Sequence, residues 1–251
     1  RLSSDDINQK NMKNKIISWI KKQITQAKAK GIVLGLSGGV DSSVVAALSK
    51  EAVGKNRVLA LILSCHSQKQ DLEDARLVAQ KCGLNTKTVD LSKIYDNLIK
   101  ILPKAGSLSC ANLKPRLRML VLYYFANKFN YLVCGTGNKS ELMVGYFTKH
   151  GDGATDILPI GGLLKRQVRE LAKELKIPER IVTKPPTAGL WPGQTDEGEM
   201  GITYPELDDI LGRIENKKRQ VLSKEKVNRT RQMIKSSEHK RQGPKIFHLH
   251  K

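Results

Sequence analysis

The stretch LGLSGGVDSS, residues 34–43, decides the fold of this chain. An apolar segment leads into two adjacent glycines, Gly38 and Gly39, and the residues VDSS that follow can begin a helix. Where a chain gives up side chains between a strand and a helix, its backbone N–H groups can approach an anion closely. The sequence therefore predicts a phosphate-binding loop between a strand and a helix.

Strand and helix signals alternate on both sides of this loop. Before it, apolar residues recur at helical spacing, and Gly31 ends that helix. The predicted strands cover 32–36, 58–63, 86–91 and 131–135, most of them apolar. The predicted helices cover 44–53, 71–83, 94–102 and a segment that ends near residue 127. This alternation predicts an α/β fold with an open, mostly parallel sheet and helices on both faces. We expect right-handed crossovers.

Length and composition are typical of one large domain. The chain has 251 residues, of which 39% are hydrophobic, and a chain of this size buries ~70–75% of the surface that it exposes when unfolded. We predict a single domain over 1–251, with an N-terminal helix over 1–30, an α/β core over 31–212 and a basic helical segment over 213–251.

Several features of the sequence bear on the cellular location of the protein. No apolar run approaches the roughly 20 residues that cross a bilayer, and the N-terminus does not resemble a secretory signal. The four cysteines, Cys65, Cys82, Cys110 and Cys134, are scattered and lack the CxxC spacing of a zinc site. We therefore expect reduced thiols in a cytoplasmic protein, and no membrane partner.

The chain is strongly basic, with a formal net charge of +20. Half of that charge falls in residues 213–251, which hold 13 Lys and Arg against 3 Asp and Glu. Such a segment can bind nucleic acid, or it can be a solvated helical face that attracts a small polyanion. It has no RGG run, zinc knuckle or interleaved aromatic residues, so we expect no nucleic-acid partner.

Two loops of small residues follow predicted strands, and each leads to a carboxylate. Residues 37–43 include Asp41, and residues 135–141 end at Glu141. A carboxylate beside a phosphate cradle is repelled unless a cation lies between them, and Mg²⁺ commonly takes one or two carboxylates together with phosphate oxygens. Asp41 and Glu141 are therefore candidate Mg²⁺ ligands. The alternative for Asp41 is a simple helix N-cap.

The run SGGVDS lacks the GK[ST] ending of a Walker A loop. It resembles the pyrophosphate-binding loop of the N-type ATP pyrophosphatases, whose fold is Rossmann-like, of the adenine nucleotide alpha hydrolase type. These enzymes split ATP into AMP and pyrophosphate. The resemblance implies adenylation of a substrate oxygen, and it leaves the substrate undetermined.

Three further blocks narrow the resemblance, namely residues 135–172, which include FTKHGDG, residues 184–211, which include PPTAGLWPGQTDE, and SEHKR at 237–241. Together they are similar to the family of ammonia-dependent NAD synthetases, over nearly the whole chain. The resemblance implies a ligase that uses ATP and ammonia to amidate nicotinic acid adenine dinucleotide (deamido-NAD), giving NAD, AMP and pyrophosphate. It also implies Mg²⁺ as cofactor and a homodimer with the dinucleotide near the subunit interface.

The family pattern also implies a set of site residues. ATP would be bound by Gly35, Leu36, Ser37, Gly38, Gly39, Val40, Asp41, Ser42, Thr136, Lys165 and Thr187; Mg²⁺ by Asp41 and Glu141; and the dinucleotide by Arg116, Lys149, Asp156, His239 and Lys240. Asp41, Glu141 and Lys165 would be catalytic. The adenine contacts stay open, because Val40 replaces the glutamine of some relatives. Tyr146 and Phe147 either stack on the nicotinate ring or only pack.

Three alternatives bear on nitrogen source and function. Glutamine-dependent synthetases carry an amidase domain with a catalytic cysteine, and the synthetase motifs leave no room for one here, so free ammonia is expected unless a separate subunit delivers it. A tRNA-modifying enzyme with the same loop would explain the basic tail, with Cys134 or Cys65 carrying sulfur. A non-catalytic nucleotide-binding protein is disfavoured because Asp41, Glu141 and Lys165 are all present.

Overall fold

A computed structural model describes residues 4–191, 193–216, 223–247 and 249 of the chain. Its sheet has four parallel strands in the order β3-β2-β1-β4. The strands are β1 (Gly31–Gly35), β2 (Val58–Ser64), β3 (Asn85–Asp90) and β4 (Tyr131–Val133). The prediction of an open parallel sheet is confirmed, with strand ends that differ from the predicted ones by one or two residues.

The helices that surround the sheet follow the predicted alternation. They are α1 (Ser4–Gln26), α2 (Val40–Val53), α3 (Lys69–Cys82), α4 (Ser92–Ile101), α5 (Ser107–Ala111), α6 (Leu113–Phe129), α7 (Lys139–Val144), α8 (Lys165–Glu174), α9 (Glu179–Val182), α10 (Asp196–Met200), α11 (Tyr204–Asn216), α12 (Lys224–Ser236) and α13 (Glu238–Arg241). Helix α11 runs across the predicted boundary between residues 212 and 213. Part of the predicted basic segment, 217–222, lies outside the described residues.

Alternate residues of the central strand β1 point to opposite faces of the sheet, and both faces are covered. Ile32 and Leu34 belong to a core that includes buried residues of α1, α2, α3 and α8. Val33 belongs to a second core, with Leu61 of β2 and Leu117 of α6. Burial on both faces is the reason that β1 and β2 are apolar almost throughout, whereas β3, at the edge of the sheet, is polar and mostly exposed. The predicted helices on both faces are confirmed.

A third apolar cluster joins the C-terminal helices to the rest of the chain. Its largest fully buried member is Tyr204, which packs with other buried residues of α7, α10 and α11. The following tail docks on the same unit, because Arg241 donates hydrogen bonds to the carbonyls of Leu142 and Met143 at the end of α7. Carbonyls in the last turn of a helix have few partners within the helix, so Arg241 helps to cap α7. Part of the basic segment thus contacts the rest of the folded chain through hydrogen bonds to α7.

The order of the strands places a cleft beside β1. From β1 the chain runs outward through β2 to β3, and it then returns to β4 on the other side of β1. The loops that leave β1 and β4 therefore diverge, and ligands bind at such a point in open α/β sheets. Among the described residues, no helix is long and apolar enough to cross a membrane.

Candidate active site

A cavity of about 540 Å³ opens at the carboxyl ends of β1, β2 and β4. Most of the residues that the sequence predicted for the ATP and metal sites line it, together with one predicted for the dinucleotide: Gly35, Leu36, Ser37, Gly39, Val40, Asp41, Ser42, Thr136, Glu141, Lys165, Thr187 and Lys240. The predicted residues that do not line it are Gly38, Arg116, Lys149, Asp156 and His239. The loops after β1 and β4 thus form one pocket, as their positions predict.

The glycine loop is held in shape by its own serines. The Ser42 hydroxyl donates to the Gly39 carbonyl at 3.0 Å and lies 3.1 Å from the Ser37 hydroxyl. The Ser37 hydroxyl in turn accepts the N–H of Gly39 at 3.3 Å. These bonds fold the loop tightly onto the N-terminus of α2, where the backbone N–H groups and the helix dipole favour an anion.

The two glycines of the loop are needed for different reasons. Gly38 has a φ of +82°, and a Cβ there would lie 2.4 Å from the Asp71 carbonyl oxygen of α3. Gly38 therefore permits the loop to pack against α3, whereas the sequence suggested that it leaves room for phosphate. A Cβ at Gly39 would meet only the Ser37 hydroxyl, at 3.4 Å, and Gly39 lines the cavity.

Three charged side chains meet on the floor of the cavity. The Lys165 Nζ lies 2.5 Å from Oδ2 of Asp41 and 3.2 Å from Oε1 of Glu141. Lys165 is only 2% exposed, and its ammonium also lies 4.8 Å from the centre of the Tyr204 ring. The residues that the sequence predicted as catalytic are therefore in direct contact. Their side chains come from α2, α7 and α8, which the sheet topology brings to one point.

Asn138 joins the two loops, and the sequence analysis missed it. Its side chain donates to Oδ1 of Asp41 at 2.9 Å and accepts the N–H of Glu141 at 3.0 Å. The backbone N–H of Asn138 donates to Oε2 of Glu141 at 3.2 Å, which completes a capping box at the start of α7. The spacing of Asn138 and Glu141 is a recognisable capping-box pattern. It could have revealed that Asn138 orients Glu141.

Burial and like charge set the ionisation of the cluster. Desolvation raises the pKa of Glu141 to about 7 against the opposing effect of Lys165, and the nearby Asp41 carboxylate raises it further. Burial also raises the pKa of Asp196, a third carboxyl group on the cavity wall. The pKa of Lys165 is raised because Asp41 and Glu141 together outweigh the opposing effect of its own burial. The floor of the cavity thus has three acidic groups and one basic group, and burial favours the neutral form of two of the acids.

This surplus of carboxylate oxygen fits a divalent cation. Asp41 and Glu141 each direct one oxygen at Nζ of Lys165, and Oδ1 of Asp196 is buried without a hydrogen-bond partner. Hard oxygen ligands of this kind suit Mg²⁺, which needs only one or two carboxylates when phosphate oxygens complete its shell. Within the described ranges, no group of three or more acidic, His or Cys side chains is arranged to bind a metal by itself. The residues therefore fit a metal that is shared with a phosphate ligand.

Helix α11 supports the cluster from below through two further residues that the sequence analysis missed. The Tyr204 hydroxyl lies 3.0 Å from Oδ2 of Asp196 and 3.3 Å from Oε1 of Glu141. The buried Asp208 accepts the Ser140 hydroxyl at 2.5 Å and the Arg166 N–H at 2.9 Å. These bonds hold the starts of α7 and α8, which carry Glu141 and Lys165. No local sequence pattern marks either residue, because their partners are distant in the chain.

Four of the residues predicted for the dinucleotide form one chain of contacts. Lys149 donates through Nζ to the His239 carbonyl at 2.5 Å, and its own carbonyl accepts Nη2 of Arg116 at 3.4 Å. Lys240 follows His239 and donates to the carbonyls of Gly145 and Phe147 at 2.7 and 2.9 Å. The structure thus brings these four residues together, and Lys240 is the one of them that lines the cavity.

The fifth of these residues, Asp156, makes its contacts elsewhere. Its carboxylate accepts the backbone N–H of Val133 at 2.7 Å and the Tyr123 hydroxyl at 3.1 Å. Burial raises the pKa of Tyr123 to about 12, and the charge of Asp156 raises it further. Asp156 therefore ties the end of β4 to α6, and its predicted contact with the dinucleotide stays a prediction.

The aromatic pair beside the cavity has polar partners on both members. The Tyr146 hydroxyl donates to Oε2 of Glu199, which also accepts the Gln194 side chain at 2.8 Å. The Phe147 ring lies 5.5 Å from Nζ of Lys240. Both rings line the cavity, so both are placed to meet a ligand as well as to pack.

With this geometry in view, the comparisons with known proteins define the class of the chain. The family model of NAD synthase matches residues 12–244. A protein named NH(3)-dependent NAD(+) synthetase, from Carboxydothermus hydrogenoformans, is 45% identical over 96% of this chain and 98% of its own length. The chain belongs to the NAD synthase family.

Solved structures of related proteins share the fold over nearly their whole length. The NMN synthetase of Francisella tularensis is 37% identical with a TM-score of 0.89, over 96% of this chain and 99% of that one. The NH3-dependent NAD synthetase of Campylobacter jejuni, in complex with the nitrate ion, is 30% identical with a TM-score of 0.84 over the same shares. The similarity thus includes every element that builds the cavity.

The different environments of Gly38 and Gly39 lead to a prediction for two matched variants. Gly38→Ala should destabilise the fold, since its Cβ collides with backbone and its φ is positive. Gly39→Ala should leave the melting temperature nearly unchanged and weaken ATP binding about tenfold or more, because its Cβ enters the cavity. Thermal melts and calorimetric titration with ATP measure the two effects. Equal melting temperatures for both variants would contradict the assignment of Gly38 to packing.

Proposed function

We propose that this chain catalyses the ATP-dependent amidation of nicotinic acid adenine dinucleotide with ammonia, giving NAD, AMP and pyrophosphate. The observation that carries the proposal is the contact of Lys165 with Asp41 and Glu141 below a glycine loop at a helix N-terminus. An anion-binding loop beside paired carboxylates suits a reaction in which pyrophosphate leaves. Membership of the NAD synthase family supports the same reaction.

The chemistry explains why the site needs charge and not a nucleophilic side chain. A carboxylate resists ammonia because its leaving group would be oxide. In the first step a nicotinate oxygen attacks the α-phosphorus of ATP, and the bond to pyrophosphate breaks. In the second step ammonia attacks the acyl carbon, the bond to AMP breaks, and ammonia loses a proton as the amide forms. The protein contributes positioning and charge stabilisation to both steps.

We propose that Asp41 and Glu141 hold Mg²⁺ and that Lys165 contacts the phosphates. When bound, Mg²⁺ would neutralise the pyrophosphate as its charge develops. The support is that both carboxylates line the cavity of the glycine loop and that Asn138 donates a hydrogen bond to each of them. Lys165 starts α8 and lines the same cavity as the glycine loop, which supports its proposed contact with the phosphates. Thr136 and Thr187 line the same cavity and are proposed ATP contacts.

We propose that the dinucleotide enters from the edge where Arg116, Lys149, His239 and Lys240 meet. Burial lowers the pKa of Lys240, and the charge of Asp152 opposes this effect. The Lys240 ammonium donates to two backbone carbonyls and lies at the cavity wall. A tRNA-modifying enzyme is not favoured, because the family that matches is that of the NAD synthases. The cytoplasmic location stays a prediction.

The metal assignment predicts a sharp loss of turnover without loss of fold. Asp41→Asn and Glu141→Gln should each lower kcat by about 10²-fold or more, because the developing charge on pyrophosphate loses its partner. Melting temperatures should change little, since Lys165 keeps one carboxylate in either variant. Steady-state rates at several Mg²⁺ concentrations test this.

Asp209→Asn is the matched control for these variants. Asp209 lies on α11 and pairs on the surface with Arg166, with both side chains about half exposed. It should therefore retain normal turnover. Near-normal turnover of Asp41→Asn or Glu141→Gln at limiting Mg²⁺ would show that the metal is bound elsewhere.

The reaction itself predicts which substrates give product. With ATP, Mg²⁺, ammonium and nicotinic acid adenine dinucleotide, the purified chain should form NAD and AMP in equal amounts. The rate should rise between about pH 7 and about pH 8.5, because unprotonated ammonia is the nucleophile. Glutamine in ammonia-free buffer should give no product, and robust product from glutamine would refute ammonia as the direct donor.

A second substrate deserves a parallel measurement, because the solved structure from Francisella tularensis is named as an NMN synthetase. Its TM-score of 0.89 is above the 0.84 of the Campylobacter jejuni NAD synthetase. The same cavity could amidate nicotinic acid mononucleotide. We expect kcat/KM to be higher for the dinucleotide, and a higher value for the mononucleotide would reassign the substrate.

We further propose that the active form is a homodimer that uses helix α6. Arg116, Leu120 and Tyr124 are spaced by four residues and therefore share one face of the helix. Leu120 and Tyr124 are 59% and 61% exposed, which is unusual for such side chains. A partner that covers them would lie beside Arg116 and so beside the proposed dinucleotide.

Leu120→Glu tests this interface, because a buried unpaired charge is costly. The wild type should sediment as a dimer at micromolar concentration, and the variant should shift towards a monomer with a raised KM for the dinucleotide. A monomeric wild type with full activity would contradict the proposal.

A further inference from the structure

Arg118 is a cation of the cavity wall that the reaction described above does not yet use. It lies on α6, two residues after Arg116, and its side chain faces inward to line the cavity. Its Nε donates to the carbonyl of Leu63, near the end of β2, at 3.0 Å. Within the described residues, the two terminal nitrogens of its guanidinium have no hydrogen-bond partner. The one bond that it makes holds the group in place and leaves the rest of it open to the cavity.

The neighbouring acidic groups do not neutralise Arg118. The carboxylates that act on its charge are Asp71 and Asp152, and it forms no ion pair with either of them. Asp71 already accepts Nζ of Lys184 at 2.7 Å, and Asp152 accepts the backbone N–H of Thr148 at 2.9 Å. Burial lowers the pKa of Arg118. The guanidinium nevertheless stays protonated.

Lys114, one helical turn earlier on α6, is a cation whose charge already has partners. Its Nζ donates to the Leu190 carbonyl at 2.6 Å and lies 5.4 Å from the centre of the Tyr95 ring. Lys114 is 7% exposed, so its charge is used to fasten the segment that crosses the cavity. Arg118 lacks such a partner, and its planar fork matches two oxygens of a phosphate or carboxylate.

We propose that Arg118 binds an anionic group of a bound nucleotide, at a subsite separate from the glycine loop. The proposal rests on the proposed function, which supplies two nucleotides of this chemistry. One source is a phosphate of ATP. The other is a phosphate or the carboxylate of the nicotinic acid nucleotide. A charge that is partly withdrawn from water without a partner is costly. A ligand anion that pairs with Arg118 would therefore bind more tightly, because the guanidinium is already held in position.

The test uses two variants of Arg118 and one control on the same helix. Arg118→Gln removes the charge, and Arg118→Lys keeps the charge but loses the fork. Lys128→Met removes a positive charge from an exposed position of α6, where Nζ lies 5.8 Å from the centre of the Phe129 ring. Calorimetric titrations with ATP and with the nicotinic acid dinucleotide, each alone, measure binding without turnover. Steady-state KM values for both nucleotides accompany them.

We expect the substitutions of Arg118 to weaken the binding of one nucleotide more than that of the other. Arg118→Gln should raise Kd and KM for one nucleotide by about tenfold or more, with Arg118→Lys intermediate and Lys128→Met unchanged. The nucleotide that is affected identifies the source of the anion, and a weakening of both places the group between them. Melting temperatures should stay within a few degrees of the wild type.

Two outcomes would overturn the proposal. Unchanged affinity for both nucleotides in Arg118→Gln would show that no anion binds there. A large drop in melting temperature that Arg118→Lys fails to restore would show that the bond to Leu63 is the only role of the side chain. Because the titrations need no turnover, either outcome leaves the amidation reaction to be judged by its own assay.

Discussion

The contact of one buried ammonium with two carboxylates is the constraint on which the rest of this structure depends. Lys165 lies between Asp41 and Glu141, and these residues are separated by up to 124 positions in the chain. Charges cannot be buried one at a time without a large cost, so the three side chains must arrive together. The parallel sheet achieves this, because β1 and β4 are adjacent parallel strands and the loops that follow them leave from the same edge.

Charge balance at this contact is incomplete, and that is what suits it to a charged ligand. Three acidic groups, Asp41, Glu141 and Asp196, lie beside one basic group, and burial raises the pKa of both Glu141 and Asp196. The fold tolerates the surplus because Asn138 and Tyr204 donate hydrogen bonds to the acids. A divalent cation and a polyphosphate would complete the balance together. The same arrangement explains how a site with no nucleophilic side chain can activate a carboxylate.

The C-terminal third of the chain acts as the support of this site more than as a separate unit. Asp208 holds the starts of α7 and α8, and Arg241 holds the end of α7. The basic segment therefore has a structural task as well as the electrostatic one that its charge indicates. The positive charge of this segment would still attract polyanions over distances of about a Debye length.

The sequence by itself determined the class of fold, the glycine loop and the pair of carboxylates, because these depend on local patterns. The patterns are the strands, the stretch at 34–43 with Asp41 inside it, and Glu141 in the loop region after β4. Tertiary structure decided what local patterns cannot encode. Gly38 is required by the carbonyl of Asp71, Asn138 reaches Asp41 across 97 residues, and Tyr204 lies under Lys165. Each depends on where a distant segment packs, and packing is a property of the folded chain as a whole.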